Sequence, residues 1–152
     1  MTRPLPSIIV HYLERVEGER THAYRDVRGI WTCGVGCTEG VTADTVWTQA
    51  EIDQHLAKAL ATAAQRLENA VGARVVANLN ENQYAALLSF VFNAGAKPEW
   101  TIWGCVKTQD WPCVARQMSR FIYVDGKVND GLTKRRTADV ALWNGEDPLC
   151  QS

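Results

Sequence analysis

The chain lacks any run of about eighteen apolar residues, the length a membrane-spanning helix needs, and its short Ile8-Ile9-Val10 segment has neither the length nor the flanks of a signal peptide. We therefore expect no integral membrane segment in this chain and read no export signal from it. It also lacks internal repeats and low-complexity tracts, which excludes a solenoid and a disordered linker. Nor is there a surplus of basic charge. Sixteen Lys and Arg against seventeen Asp and Glu leave a formal net charge of −1, so nothing global steers the molecule to nucleic acid. Lys134-Arg135-Arg136 is the clearest local basic cluster, and three cations on a helix read first as a solvated face.

Cysteine is present but sparse, and not in metal-ligand spacing. Cys33, Cys37, Cys105, Cys113 and Cys150 make an odd five, so no zinc or other metal centre and no cofactor is expected, and at least one thiol is unpaired unless chains cross-link. On a continuous strand Cys33 and Cys37 would stand roughly 13 Å apart, too far for a disulfide. Cys105 and Cys113, across a short loop, are the pair best placed to bond.

What is present is the material of one folded domain. Of 152 residues 46% are hydrophobic, and six are Trp, enough for a core without staples. After an irregular start with Pro4 and Pro6, Ser7 reads as the N-cap of a helix to about Glu17, with Ile9, Tyr12, Leu13 and Val16 on its apolar stripe and Gly18 as its stop. From Thr21 to about Thr38 the pattern becomes alternation with glycines, a small antiparallel hairpin. Its Ile30, Thr32, Gly34 and Gly36 would share a face that is nearly bare after Thr32; a close-approaching ligand and a simple twist or bulge explain the glycines equally well.

Thr48-Gln49-Ala50-Glu51 is a capping box opening a helix of about 22 residues to Val71, stopped by Gly72. Asn80-Glu81-Asn82-Gln83 repeats that logic before a segment, Tyr84 to Asn93, that is apolar almost all round and so central to a core. Asp110 caps a helix to about Ile122. A last helix opens at Gly131 and stops at Gly145. On it Leu132, Arg136, Val140 and Trp143 form a stripe, so Arg136 points inward and needs an anionic partner, for which Glu17 is the candidate. Arg135 reads as a surface pair with Asp139. Trp100, Trp103 and Trp111 could offer a stacking platform for sugars, although packing explains each at least as well. The tail from Glu146 to Ser152 carries no pattern.

The chemistry concentrates between Glu17 and Thr38. Two carboxylates on separate elements with a hydroxyl between them suit glycosidic hydrolysis, where one acid must be protonated while the other is ionised. Glu17, at a helix C-terminus, feels the negative end of the macrodipole and is the better proton donor; Asp26, in a turn, is the better anion. Each residue alone is an ordinary structural choice. Their joint spacing is not: Glu17-Gly18, Tyr24-Arg25-Asp26, Gly29-Ile30-Trp31-Thr32 and Gly34-Val35-Gly36-Cys37-Thr38.

This pattern closely resembles the phage lysozymes (endolysins) of glycoside hydrolase family 24, as do Ser89-Phe90-Val91-Phe92-Asn93-Ala94-Gly95 and Gly131-Leu132-Thr133-Lys134-Arg135-Arg136. Cys37 departs from it, since the family usually has His there; the thiol reads as small buried packing. Between Ala96 and Asp110 the match weakens. The resemblance implies an α+β, mainly α fold, with a β-hairpin lobe (about 18–47) joined by a long helix (about 49–71) to a helical lobe (about 80–145 plus the N-terminal helix), in one domain. It implies a muramidase that cleaves bacterial peptidoglycan between N-acetylmuramic acid and N-acetylglucosamine, with Glu17, Asp26 and Thr32 catalytic and Thr38, Phe92, Asn93 and Arg136 at the substrate. A monomer without nucleic-acid partner is expected, made in the host cytoplasm and acting in the periplasm. The competing expectation is a non-catalytic wall-binding module on the same scaffold.

Overall fold

Two capping boxes set the helical frame of the protein, which a computed structural model describes over residues 2–146. Thr48 accepts from the Glu51 N–H while the Glu51 carboxylate takes the Thr48 N–H, and helix α2 then runs Gln49–Val71. In the same way Asn80 and Gln83 cap helix α4, Glu81–Ala94. Each box satisfies two of the N–H groups that a helix start leaves unpaired. In α2 the apolar positions Ile52, Leu56, Leu60, Ala63 and Leu67 are buried at helical spacing, while in α4 every residue from Gln83 to Val91 is buried. So α4 is the central rod, packed between α2, the first helix and the last.

Helix α1 is Ile9–Glu17 and helix α3 is Ala73–Asn78. Helices α5, α6 and α7 are Thr101–Lys107, Trp111–Met118 and Asp130–Trp143. Strands β1, Arg20–Arg25, and β2, Trp31–Gly34, form an antiparallel hairpin, with Tyr24 opposite Thr32 and Arg25 opposite Trp31. The minimal strands β3, Tyr123–Val124, and β4, Lys127–Val128, form a second. Phe90 is the hub of an aromatic cluster, edge-on to Trp100, Trp103 and Phe121. Cys105 and Cys113 form a disulfide joining α5 to α6, with Cα atoms 5.7 Å apart.

Several expectations need correction. Ser7 does not cap α1: Ile8 holds that position without a side-chain bond, and the Ile9 N–H bonds the Pro6 carbonyl instead. Helix α6 stops at Met118 and not near Ile122, because the chain turns there to put Phe121 on Phe90. Helix α7 opens one residue early, with Asn129 accepting from the Leu132 N–H. The hairpin strand does not run on to Thr38. It ends at Gly34, and positive φ at Gly34 and Gly36 folds the chain back on itself, so that Cys33 and Cys37 exchange both backbone hydrogen bonds, at 2.8 and 3.0 Å. The two residues are direct neighbours and not 13 Å apart; both remain free, buried thiols. Cys150 and the tail after Glu146 lie outside the described residues.

Candidate active site

Glu17 is the last residue of α1, where Gly18 at φ +74° breaks the helix and its N–H bonds back to the Glu14 carbonyl. The carboxylate therefore projects from a rigid end. Its neighbour across space is Gly36. A Cβ built there would lie 2.6 Å from both Cδ and Oε2 of Glu17, so a side chain at this position, besides the strain of φ +66°, would displace the carboxyl group. The bare face of the hairpin is thus occupied by a side chain of the site itself.

Asp26 opens the tight turn between β1 and β2. Its Oδ1 accepts from the N–H groups of Arg28, at 2.8 Å, and Ile30, at 2.9 Å. Thr32 is buried, and its hydroxyl donates to the Ile30 carbonyl at 2.8 Å. One peptide unit on each side of Ile30 thereby fixes the carboxylate and the hydroxyl relative to one another. Both residues line the cleft, and these bonds leave Oδ2 of Asp26 and the lone pairs of Thr32 Oγ1 uncommitted.

That cleft has a volume of about 490 Å³ and is lined by Glu17, Asp26, Thr32, Thr38, Phe92 and Asn93, among others. Six of the seven residues singled out from the sequence meet in it. The seventh, Arg136, does not, and this corrects the pairing expected above. Arg136 is 1% exposed and bonds Asp139 Oδ2 at 2.7 Å, the Phe121 carbonyl at 3.1 Å and Oδ1 of Asn93. It touches the cleft lining through Asn93, and its bond to Oδ1 leaves the Asn93 amide N–H₂ uncommitted to Arg136. The guanidinium that meets Glu17 belongs to Arg135, which is buried and not on the surface.

The reason is geometric. Successive helical residues are about 100° apart, so Asp139 lies angularly between Arg135 and Arg136 and serves both. Asp139 is fully buried, and its Oδ1 accepts from Tyr12 Oη at 2.7 Å and Ser89 Oγ at 2.6 Å. Arg135 in turn donates to Ser89 through Nε and Nη2. Burial works to lower the Arg135 guanidinium, but the carboxylates of Glu17 and Asp139 outweigh it and hold it above its ordinary value. Burial leaves Arg136 below its ordinary value, partly offset by Asp139. Burial also pushes the Cys37 thiol up to about 11, and the Glu17 charge adds to that.

Sequence reasoning missed Ser89 and Tyr12 as supports of the site, and read Gly36 only as part of a bare face and Arg135 and Asp139 only as a surface pair. The available signal was Arg-Arg-x-x-Asp, whose spacing places one acid within reach of two cations. Trp100 and Trp103 pack on Phe90, and Trp100 faces a separate groove with Phe121 and Tyr123 that contains neither Glu17 nor Asp26. Among the described residues no cluster of His, Cys, Asp and Glu is arranged to hold a metal ion.

Residues 14–139 match the family model for phage lysozyme. The endolysin of Salmonella phage P22 is 43% identical over 84 residues, covering 55% of this chain and 58% of that protein. The endolysin of Acyrthosiphon pisum secondary endosymbiont phage 1 is 31% identical over 137 residues, covering 86% and 91%. Among solved structures, a mutant P22 lysozyme superposes with a TM-score of 0.73 at 30% identity, over 93% of this chain and 99% of that one. The active form of the P1 phage endolysin Lyz has the same fold, with a TM-score of 0.79 at 21% identity over 93% and 85%.

Proposed function

The chain belongs to the phage lysozyme family, and from that premise we propose that it is a peptidoglycan hydrolase of the endolysin kind, a muramidase cutting between N-acetylmuramic acid and N-acetylglucosamine. It is a glycoside hydrolase, and wall degradation of this kind lyses the host bacterium. The observation that carries the mechanism is the Ile30 tie between Asp26 and Thr32, facing Glu17 across one cleft.

Glu17 is the general acid. In its protonated form Glu17 keeps Oε1 on Arg135 and carries the acid hydrogen on Oε2, which passes to the glycosidic oxygen as the bond to the leaving sugar breaks and leaves the carboxylate paired with Arg135. Because the Thr32 hydrogen is committed to Ile30, its oxygen accepts one hydrogen of a water molecule. Asp26 Oδ2 accepts the other. The water lone pair then points at the anomeric carbon, and its proton passes to Asp26 as the new bond forms. Asn93 and Thr38 bond the sugars, while Phe92 forms an apolar wall. The molecule works as one lysozyme-like domain and a monomer without nucleic-acid partner, made in the host cytoplasm and acting on the periplasmic wall.

The test is release of reducing ends, together with clearing, from permeabilised Gram-negative cells by wild type and Glu17→Gln. Wild-type activity with loss of both signals in the variant supports the reading. Binding without reducing-end release by the wild type would make the protein a wall-binding module instead.

A further inference from the structure

Continuous with the carboxylate cleft through Gly36, Thr38 and Phe92 lies a second groove of about 420 Å³. Helix α2 forms its long wall. His55, Lys58, Thr62 and Arg66 recur at intervals of three and four, so they line one stripe beside the buried one, and all four border the groove. Three of them are basic side chains, whereas Glu39 is the only acid in the lining. Its contact with Lys58, at 3.4 Å, joins side chains that are 67% and 78% exposed, and such a pair yields readily to a ligand. Arg66 has no ion-pair partner among the described residues. The His55 ring is fixed by stacking on Trp47, with centroids 3.8 Å apart.

A glycan strand offers such a groove hydroxyl and acetamide groups but no charge to match its cations. The sugars are neutral, and the lactyl carboxyl of each muramic acid is consumed in the amide bond to its stem peptide. The anions of this substrate are the free carboxylates of that peptide. The carboxylate cleft also carries Arg20, Arg25, Arg28 and Arg135, but Arg135 is engaged by Glu17 and Arg20 and Arg25 lie over aromatic rings, whereas the stripe on α2 presents Arg66 and Lys58 to an anionic part of the substrate. We propose that the α2 groove is a stem-peptide site, in which the planar Arg66 guanidinium takes a stem carboxylate through paired N–H bonds and Lys58 a second, while the glycan occupies the neighbouring cleft. This rests on the hydrolase reading above and adds the part of the substrate that sets affinity.

The experiment compares two soluble peptidoglycan oligomers of equal glycan length, one with free stem carboxylates and one with the same groups as carboxamides. Wild type has the lower KM for the acid form. Arg66→Gln, and Lys58→Gln added to it, raise that KM about tenfold while leaving kcat, the melting temperature and the carboxamide KM within about twofold. The wild-type preference for the acid form also shrinks as salt is raised. Equal wild-type KM for the two oligomers, or a loss of the same size on both in Arg66→Gln, overturns the groove and leaves the hydrolase intact. Cleavage of neither oligomer by the wild type removes both readings.

Discussion

Arg135 and Glu17, 118 positions apart in sequence, form a shielded ion pair, with 7% of one side chain and 16% of the other exposed. Ser89 and Asp139 hold the arginine from behind, so the orientation of the carboxyl group at the end of α1 is set by α4 and α7.

Arg135→Met should therefore cost both stability and turnover. Removing one partner of a buried pair typically costs about 3–5 kcal/mol, and the lower figure is expected because Arg136 still neutralises Asp139. Arg135→Lys keeps the charge but loses the fork that reaches Glu17 and Ser89 together. We expect kcat to fall about a hundredfold with a smaller drop in melting temperature. Full activity in the lysine variant would mean that charge alone suffices.

Gly36 offers a sharper separation of fold from chemistry. Gly36→Ala meets both the positive φ and the Glu17 carboxyl group, whereas Gly40→Ala, at φ +71°, meets the backbone cost with nothing within 4 Å. Each should lose about 1–3 kcal/mol of stability. Only Gly36→Ala should lose activity, by about a hundredfold, since its methyl group pushes the acid out of place. Equal activity in the two variants would show that the close approach is unimportant.

Arg136→Met tests the corrected role of that residue. It strands Asn93 and removes the short partner of Asp139, so unfolding should become easier by about 3 kcal/mol. Asn93→Ala instead should raise KM several-fold with kcat near wild type, at a smaller stability cost of about 1–3 kcal/mol because one Arg136 N–H loses its acceptor. If Arg136→Met changed KM without changing stability, its side chain would have to reach substrate directly.

The long elements were legible because their signals are local. Thr48 with Glu51, and Asn80 with Gln83, announce α2 and α4 within four residues, and the Glu17 to Thr32 spacing brought the site residues forward before any geometry was known. Helices α3 and α5, of six and seven residues, are too short to display a period. The fold-back at Gly34 and Gly36 escaped because alternation cannot distinguish a strand from a turn made by positive φ. The exchange of Arg135 for Arg136 has another origin. A stripe argument assumes one buried face, and α7 is buried over a wider arc, where two charges share one deep acid.

Cys37 predicts a pH dependence. Its thiol titrates at about 11 in the fold against an ordinary value of 9.0, so the folded state holds that proton more tightly. The contribution is complete below pH 9 and lost as pH rises to 11, roughly 1–2 kcal/mol after allowance for solvent screening. Melting temperatures of wild type and Cys37→Ala from pH 8 to 11 should converge or cross in favour of the variant above pH 9. Parallel curves would show that burial does not hold the thiol neutral.

On the proposed mechanism, a water held between Asp26 and Thr32 would attack the face of the sugar opposite the leaving group, a single displacement. Proton NMR of the sugar freshly released from the β-linked glycan, recorded before mutarotation, tests this directly. The α anomer should appear first and decay to the equilibrium mixture. First appearance of the β anomer would make Asp26 a nucleophile and contradict the water held by Thr32.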